Sequence, residues 1–234
     1  MGLAEDWDRV VLQALNSLIP VYDRMNSVMS MGKDKRWREA GIRLAIREGD
    51  FVLDAGCGPG VMTEVLASVH RNVKSLLYDS LFSMLEAARS RVAGVSSGAV
   101  RGVFETMPFS SGVFDAVMMG YSFRDARDMR AALEEISRVI RDGGRMLIVD
   151  IAKPDNRLIR LSVGFYWRVV VPFLALLVAR KYWRKYSVLY ITYRRLPTNS
   201  QLRALVGEYF ESVTVYTQML GGSLILIAER PRRQ

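Results

Sequence analysis

Residues 51–60, Phe-Val-Leu-Asp-Ala-Gly-Cys-Gly-Pro-Gly, decide the fold class that the sequence predicts. The apolar residues at 51–53 are typical of a short buried strand, and Asp54 stands at its carboxyl end. Three alternating glycines then form a turn, and apolar residues at helical spacing follow over residues 61–69. A strand, a glycine turn and a helix in this order are typical of a nucleotide-binding site.

The ligand of this turn should carry a positive charge. Gly56, Gly58 and Gly60 let a ligand approach the backbone and the helix amino terminus, but the third glycine arrives one residue earlier than in the dinucleotide fingerprint. Asp54 at the mouth of the turn would repel a pyrophosphate and could pair with an ammonium group. S-adenosylmethionine has an ammonium, a sulfonium and a ribose but no phosphate, and it therefore fits.

A second carboxylate stands where the ribose should lie. Asp79 follows Gly56 by 23 residues and ends the apolar run 73–78, where a doubly wound fold places the acid that binds ribose hydroxyls. The alternative is a plain βαβ unit with a tight turn, in which Asp54 only caps the helix. The spacing of the two acids favours the cofactor interpretation.

The composition fits one α/β domain in a reducing compartment. The chain has 234 residues, half of them hydrophobic, and its single cysteine, Cys57, allows no intrachain disulfide. The acidic start lacks a basic and then apolar leader, and Asp6 stands where a myristoylation signal needs Ser or Thr. We therefore expect a cytoplasmic protein with no export or lipid signal. The single histidine, His70, is expected to be a surface residue, and no metal site is predicted.

Basic residues are concentrated in the last third of the chain. Residues 1–150 hold 19 Lys and Arg against 20 Asp and Glu, whereas residues 151–234 hold 14 against 4. This third either meets an anionic partner or stays solvated.

Strands alternate with helices along the chain, which predicts a doubly wound, mostly parallel sheet of seven strands. Helices are expected at 8–19, ended by Pro20, and at 34–47, before the first strand. Further strands are expected at 73–78, 99–103, 114–119 and 145–150, with a closing hairpin at 212–218 and 223–229. We divide the single domain into a helical cap at 1–48, a cofactor-binding core at 49–152, a helical segment at 153–200, and a closing helix and hairpin at 201–234.

Taken together, these motifs resemble the class I S-adenosylmethionine-dependent methyltransferases, and more closely the ubiquinone/menaquinone-biosynthesis C-methyltransferase family. The matching stretches are Tyr-Asp-Arg-Met-Asn-Ser-Val-Met-Ser-Met-Gly at 22–32, the turn at 54–60, Asp-Ser-Leu-Phe-Ser-Met-Leu at 79–85, Phe-Asp-Ala-Val at 114–117, Phe-Arg-Asp at 123–125 and Gly-Gly-Arg-Met-Leu-Ile-Val-Asp at 143–150. The resemblance implies a cofactor site formed by Asp54, Gly56, Cys57, Gly58, Gly60, Asp79, Ser80, Met84, Phe104, Glu105, Gly120 and Tyr121.

Two positions depart from the family pattern. The family usually has Gly-Asp-Ala after the third strand, with the aspartate on the adenine amino group, where this chain has Gly-Val-Phe-Glu at 102–105. We expect Glu105 to substitute or Phe104 to pack on the ring. The family commonly has Arg-Asn where this chain has Arg124 and Asp125, so the acceptor site differs in its polar lining.

The resemblance implies methyl transfer to a ring carbon of a lipophilic, prenylated quinol. Arg124, just after the fourth strand, is placed to stabilise the phenolate, and Tyr22 is placed to orient the acceptor. The alternative for Arg124 is an ion pair with Asp125 or Asp128 that caps the next helix. Other functions remain open, namely methylation of another lipid, RNA methylation supported by the basic tail, or S-adenosylmethionine binding without turnover. Nucleic acid is not expected, because the fourth strand lacks an Asp/Asn-Pro-Pro-Tyr motif.

Residues 158–186 carry an apolar run at 169–179 between Arg168 and a basic group comprising Arg180, Lys181, Arg184 and Lys185. The run covers about 17 Å as a helix against about 30 Å of hydrocarbon, so a membrane span is disfavoured. We expect this segment to cover the acceptor pocket and to meet the inner face of the cell membrane through its basic residues. The alternative is an ordinary lid helix with a solvated basic end, coupled to a homodimer contact.

Overall fold

Seven strands form one sheet in the order β3-β2-β1-β4-β5-β7-β6. In this computed structural model, which describes residues 2–232 except the side chains of Arg9, Val11, Arg180 and Lys181, β1 to β5 are parallel, whereas β7 is antiparallel to β5 and to β6. The strands are β1 (Phe51–Ala55), β2 (Lys74–Asp79), β3 (Ser96–Arg101), β4 (Phe114–Gly120), β5 (Ile140–Ile151), β6 (Phe210–Gln218) and β7 (Ser223–Pro231). The predicted doubly wound fold is confirmed.

The strand order reverses between β1 and β4, and this reversal places the site. The crevice at the carboxyl ends of two such strands is where open α/β sheets bind ligands. The glycine turn follows β1 and Tyr121 follows β4, so both reach the same crevice.

Nine α-helices are present among residues 2–232, and they cover the two faces and the carboxyl edge of the sheet. They are α1 (Tyr22–Met29), α2 (Asp34–Ala45), α3 (Val61–Val69), α4 (Phe82–Arg91), α5 (Met129–Val139), α6 (Arg157–Phe165), α7 (Val171–Val178), α8 (Val188–Arg195) and α9 (Asn199–Gly207). Helices α2 and α3 pack one face through Ile42 and Leu66, and α5 packs the other through Leu133 and Ile136. The strongly amphipathic pattern of α5 follows from this one-sided burial.

The helical amino terminus differs from the prediction that Pro20 ends the first helix. Helical backbone runs through Asp8–Ala14 as a π-helix and Leu15–Val21 as a 3-10 helix, and α1 begins after Val21, whose φ of −122° and ψ of 6° are not helical. Pro20 lies inside the 3-10 stretch, because its fixed φ fits that geometry and the change of helix type absorbs its missing N–H. The predicted apolar stripe also included Val11, whose side chain lies outside the described part.

Several strand boundaries also differ from the prediction, most of all those of β3, which begins at Ser96 and not at 99, and of β5. Strand β3 ends at Arg101, before the predicted 103, because the chain turns at Gly102 to make room for the Tyr78 ring; a Cβ on Gly102 would lie 2.2 Å from the Tyr78 hydroxyl oxygen. Strand β5 begins at Ile140, five residues before the predicted start, with a register shift against β4.

The helical segment that follows β5 lies over the carboxyl edge of the sheet. Tyr166, just after α6, donates a hydrogen bond to the Met29 carbonyl at 2.8 Å, and Tyr193 of α8 donates one to the Arg160 carbonyl at 3.0 Å. These bonds fix α6 against α1 and α8. The helical segment is therefore part of the walls of the crevice.

Candidate active site

At Gly56 the glycine turn is packed too closely to accept a side chain. Gly56 has a φ of +70°, and a Cβ there would lie 2.5 Å from Ser122 Cβ and 2.8 Å from Phe104 Cζ. The Gly56 amide donates to the Tyr78 carbonyl at 2.7 Å, and the Ser122 hydroxyl donates to the Ala55 carbonyl at 2.8 Å. The turn is thus held between the ends of β2 and β4, with backbone exposed to the crevice.

Asp79 connects this turn to the end of β2. Its Oδ2 accepts a hydrogen bond from the Gly58 amide at 2.9 Å, and its Oδ1 accepts one from the Leu81 amide at 2.9 Å. Burial raises the pKa of Asp79, although these backbone N–H groups lower it. Each carboxylate oxygen has further acceptor capacity toward the crevice.

Only one of the two carboxylate oxygens of Asp54 accepts hydrogen bonds from the described part of the chain. Its Oδ2 accepts from the Thr63 hydroxyl at 2.7 Å and from the Thr63 amide at 3.2 Å, so the helix-capping interpretation is correct for that oxygen. The Oδ1 atom is buried and has no hydrogen-bond partner among residues 2–232. Burial raises the pKa of Asp54 to about 7, against the opposing effects of Thr63 and Arg38. The Oδ1 atom is therefore a buried acceptor whose hydrogen-bonding capacity is unused among the described residues.

Arg38 is a candidate site residue that sequence reasoning missed. It lies on α2, is 1 % exposed, and its Nε and Nη2 atoms find no partner within the described residues. Its guanidinium lies 4.7 Å from the centre of the Tyr121 ring, and a Cβ on Gly120 would lie 2.2 Å from its Nη1. A buried cation with unpaired donors is costly unless an anion binds to it. The sequence signal that could have identified Arg38 is its position four residues before Ile42, which places it on the buried, apolar face of α2.

Most of the predicted cofactor residues line one pocket. These are Gly56, Gly58, Asp79, Ser80, Met84, Phe104, Glu105 and Tyr121, together with the predicted catalytic residues Tyr22 and Arg124. Trp7, Leu15 and Asp125 also line it and were not predicted.

Four of the twelve predicted cofactor residues, Asp54, Cys57, Gly60 and Gly120, do not line this pocket. Asp54 is fully buried near the end of β1. The Cys57 side chain packs with Leu77 and Leu85 below the turn, and Gly60 packs against Ala88. Gly120 lies against Arg38. A role for Cys57, Gly60 or Gly120 is limited to the backbone or to shaping the site, because the Cys57 side chain packs away from the pocket and the two glycines have none.

At the far end of the pocket, Phe104 and Glu105 replace the usual acidic residue. Phe104 lies beside Gly56, and Glu105 Oε1 accepts from the amides of Arg127 at 2.7 Å and Asp128 at 3.2 Å. The Arg127 guanidinium in turn lies 3.8 Å from the centre of the Trp7 ring. One Glu105 oxygen is therefore engaged in holding the chain before α5.

A second, apolar cavity of about 230 Å³ adjoins the first pocket. Tyr121 and Arg124 line both. The remaining walls of the second cavity are mainly apolar side chains, including Met29, Trp37, Ile151, Ile159, Val163, Tyr166, Trp167, Leu189, Met219 and Leu220. The two cavities meet at Tyr121 and Arg124. The first has charged and polar groups among apolar ones, whereas the second is lined almost entirely by apolar groups.

Arg124 belongs to a buried charge cluster at this meeting point. Its Nη1 donates to Asp150 Oδ1 at 2.6 Å, and its Nε lies 3.7 Å from Asp125 Oδ1. The main ion pair is therefore with Asp150 and not with Asp125 or Asp128, and Asp128 instead caps α5 by accepting from the Arg130 amide at 2.7 Å. Burial lowers the pKa of Arg124, but Asp125 and Asp150 outweigh this and raise it.

Asp125 combines burial with an unpaired oxygen. It is 9 % exposed, and its Oδ1 makes no hydrogen bond to the described residues. The pKa of Asp125 is raised to about 7, mainly by burial and also by Asp150 and Asp79, against the opposing effect of Arg124. A carboxyl with this pKa can accept a proton near neutral pH.

The two tyrosines beside the cluster have different constraints. Burial raises the pKa of Tyr22, although Arg38 and Arg124 lower it. Tyr121 has a φ of +62°, rare for a residue with a side chain, and its hydroxyl has no partner among residues 2–232. Strained backbone of this kind clusters at functional sites.

Among residues 2–232, no group of three or more His, Cys, Asp or Glu side chains is placed to hold a metal.

The sheet order, the glycine turn after β1 and the acid after β2 define a class I methyltransferase. Solved structures with this fold include a SAM-dependent methyltransferase from Thermotoga maritima, with a TM-score of 0.63, 16% identity, and coverage of 92% of this chain and 97% of that one. Another from Aquifex aeolicus has a TM-score of 0.58 and 14% identity, covering 89% of this chain and 97% of that one.

The chain belongs to the ubiE/COQ5 methyltransferase family, whose model matches residues 4–228. It is 30% identical over 240 residues to a demethylmenaquinone methyltransferase of Symbiobacterium thermophilum, covering 98% of this chain and 96% of the relative. It is 29% identical to the ubiquinone/menaquinone biosynthesis C-methyltransferase UbiE of Saccharophagus degradans, covering 95% and 91% respectively.

Proposed function

We propose that this chain transfers the methyl group of S-adenosylmethionine to a ring carbon of a prenylated demethylquinol. The observation that carries the proposal is that the pocket containing the glycine turn and Asp79 meets an apolar cavity at Tyr121 and Arg124. The names of the relatives, demethylmenaquinone methyltransferase among them, support the same acceptor class.

The unpaired groups beside the glycine turn fit the amino-acid end of this cofactor. Asp54 Oδ1 would accept from its ammonium, and Arg38 would pair with its carboxylate, which satisfies both buried charges. Asp79 would hold the ribose hydroxyls, while Phe104 and Glu105 would contact the adenine. When bound, S-adenosylmethionine supplies an electrophilic methyl group.

The residues at the junction fit the chemistry of a quinol ring. Asp125 would take the proton of the ring hydroxyl through its unpaired Oδ1, and Arg124 would stabilise the resulting phenolate. Loss of this proton makes the adjacent ring carbon electron-rich enough to take the methyl group, as the bond from sulfur to that methyl group breaks and S-adenosylhomocysteine leaves. The methylated carbon then loses its own hydrogen as a proton to solvent, which restores the aromatic ring. Tyr22 would orient the ring, and the apolar cavity would hold the beginning of the prenyl tail.

An acceptor panel tests this function. The purified chain should form S-adenosylhomocysteine with reduced demethylquinones and give a ring-methylated product by mass spectrometry. Oxidised demethylquinones are the matched control, because they lack the ionisable hydroxyl, and they should not react. Turnover of lipid amines, sterols or RNA in place of the quinols would contradict the proposal, as would binding of S-adenosylmethionine without any turnover of the quinols.

Arg38→Met should weaken S-adenosylmethionine binding by about 10- to 150-fold, because a charged group loses its hydrogen-bonded partner in a buried site. Isothermal titration calorimetry with S-adenosylhomocysteine, which retains the same amino-acid end, measures this without turnover. Arg43→Met on the exposed side of the same helix is the matched control and should bind normally, since Arg43 pairs only with Glu39 among the described side chains. An unchanged dissociation constant in the Arg38 variant would remove this residue from the cofactor site.

A further inference from the structure

We propose that the outer face of the helical stretch Arg157–Val178 seats this protein on an anionic lipid bilayer, with the helix in the plane of the surface. This inference goes beyond the methyl-transfer reaction and rests on exposure, topology and charge. The stretch comprises α6, a π-helical turn at Tyr166–Val170, and α7.

The outer face of this stretch is an exposed apolar stripe. Its members recur every three or four residues, as expected for one side of a helix, and are Leu158, Leu161, Phe165, Val169, Phe173 and Leu177. Leu158 is 75 % exposed, and Phe165 and Leu177 are each 61 % exposed. Side chains of this size in one continuous row mark an interaction surface.

The stretch does not cross a bilayer in this fold. Its 22 residues are long and apolar enough for a span by length and composition. However, β5 precedes the stretch and β7 follows it, and these strands pair directly from Arg145 with Glu229 to Ile151 with Ser223. A crossing would place two hydrogen-bonded strands on opposite sides of the membrane. The helix therefore lies against the bilayer as an interfacial element.

The charges around the stripe favour an anionic surface. Residues 156–207 contain ten Lys and Arg and no Asp or Glu. The side chains of Arg157, Arg168, Arg184 and Lys185 are exposed. A second copy docking through the same face would bring two such basic surfaces together, which is unfavourable, whereas acidic headgroups complement them.

The inner face of the same helix lines the apolar cavity. Ile159, Ser162 and Val163 contact this cavity, while Leu158 and Leu161 face outward. One helix therefore separates the apolar cavity from the proposed bilayer surface. This arrangement places the cavity within one helix diameter of the lipid.

Vesicle co-sedimentation of the full chain tests the proposal. Wild type should bind vesicles of equal parts phosphatidylglycerol and phosphatidylcholine, and bind pure phosphatidylcholine weakly. The double variant Phe165→Asp, Phe173→Asp should bind the anionic vesicles with a partition coefficient lower than that of wild type by roughly tenfold or more. The reason is that both substitutions weaken apolar insertion and charge attraction. Leu44→Asp with Val113→Asp is the matched control, since both residues are exposed apolar positions far along the chain from this helix. It should bind like wild type.

Several results would overturn the inference. The first is that wild type does not bind the anionic vesicles, and the second is that the Phe165 and Phe173 variant binds them as well as wild type does. The third is that wild type forms a dimer which this variant loses, while vesicle binding does not change. Turnover of a short-tailed, water-soluble demethylquinol separates this inference from the proposed reaction. If the proposed reaction is right, both wild type and the variant should methylate this soluble quinol. If the proposed reaction is wrong, neither protein should methylate it, whatever their vesicle binding.

Discussion

Asp125→Asn is expected to lower turnover of a demethylquinol by roughly 10²- to 10⁴-fold, the range that a positioned general base contributes. The asparagine keeps the size and polarity of the side chain but cannot take the hydroxyl proton. Affinity for S-adenosylmethionine is measured separately by calorimetry, because Asp125 also lines the pocket that contains Gly56, Gly58 and Asp79. Single-turnover kinetics at saturating cofactor would measure the loss.

The pH dependence of the same reaction provides an independent readout. Asp125 faces Arg124, Asp150, Asp79 and Tyr22, and burial first of all raises its pKa from 3.8 to about 7. The base is active when ionised, so turnover should rise as pH increases through about 7 and then level off. The asparagine variant should lose this rise. Saturating cofactor is needed because Asp54 titrates in the same range.

Stability should respond to Asp125 with the opposite sign. A carboxyl whose pKa is raised in the fold favours the folded state in its protonated form. That contribution is fully present below the ordinary pKa of 3.8 and is lost as pH rises through about 7. Activity and stability therefore change in opposite directions across neutral pH.

A neighbouring carboxyl gives the control for these measurements. Asp128→Asn should leave turnover and its pH profile intact, because asparagine also caps helices well and Asp128 serves α5. If the Asp125 variant retains both its rate and its pH profile, the proton has another acceptor and the assignment of Asp125 is wrong.

The first half of the cofactor site could be predicted because its residues are close together in sequence. The glycine turn, Asp54 and Asp79 lie within one βαβ unit, so the order of strand, turn and helix fixes their placement. The amphipathic pattern of α5 likewise reports one-sided burial directly. In these segments, local sequence and tertiary packing favour the same structure.

The second half of the site depends on contacts between distant segments. Asp150 lies one residue before the end of β5 and pairs with Arg124 after β4, and the pairing requires the register of two neighbouring strands. Arg38 is a single charged residue on an apolar stripe, where a sequence pattern indicates only the helix face. Pro20 was interpreted as a helix end because the usual cost of proline applies to α-helices, and the change to 3-10 geometry is a local packing outcome.

The Arg124→Met variant is expected to lose turnover by roughly a hundredfold or more, because one charge contact to the developing phenolate disappears. It should also lower the free energy of unfolding by about 3 to 5 kcal/mol, since Asp150 and Asp125 remain buried without their cation. The pKa of Asp125 should rise further, which moves the rise in residual turnover to higher pH.

These two losses can be separated with a second substitution. Arg124→Met with Asp150→Asn removes the main unpaired charge, so urea unfolding should show that part of the lost stability returns. Turnover should not recover, because the phenolate still lacks its cation. Calorimetry should find S-adenosylhomocysteine affinity near the wild-type value in both variants. If turnover returned together with stability in the double variant, Arg124 would be a structural residue that supports the junction, and the phenolate would require another stabilising group in the same cavity.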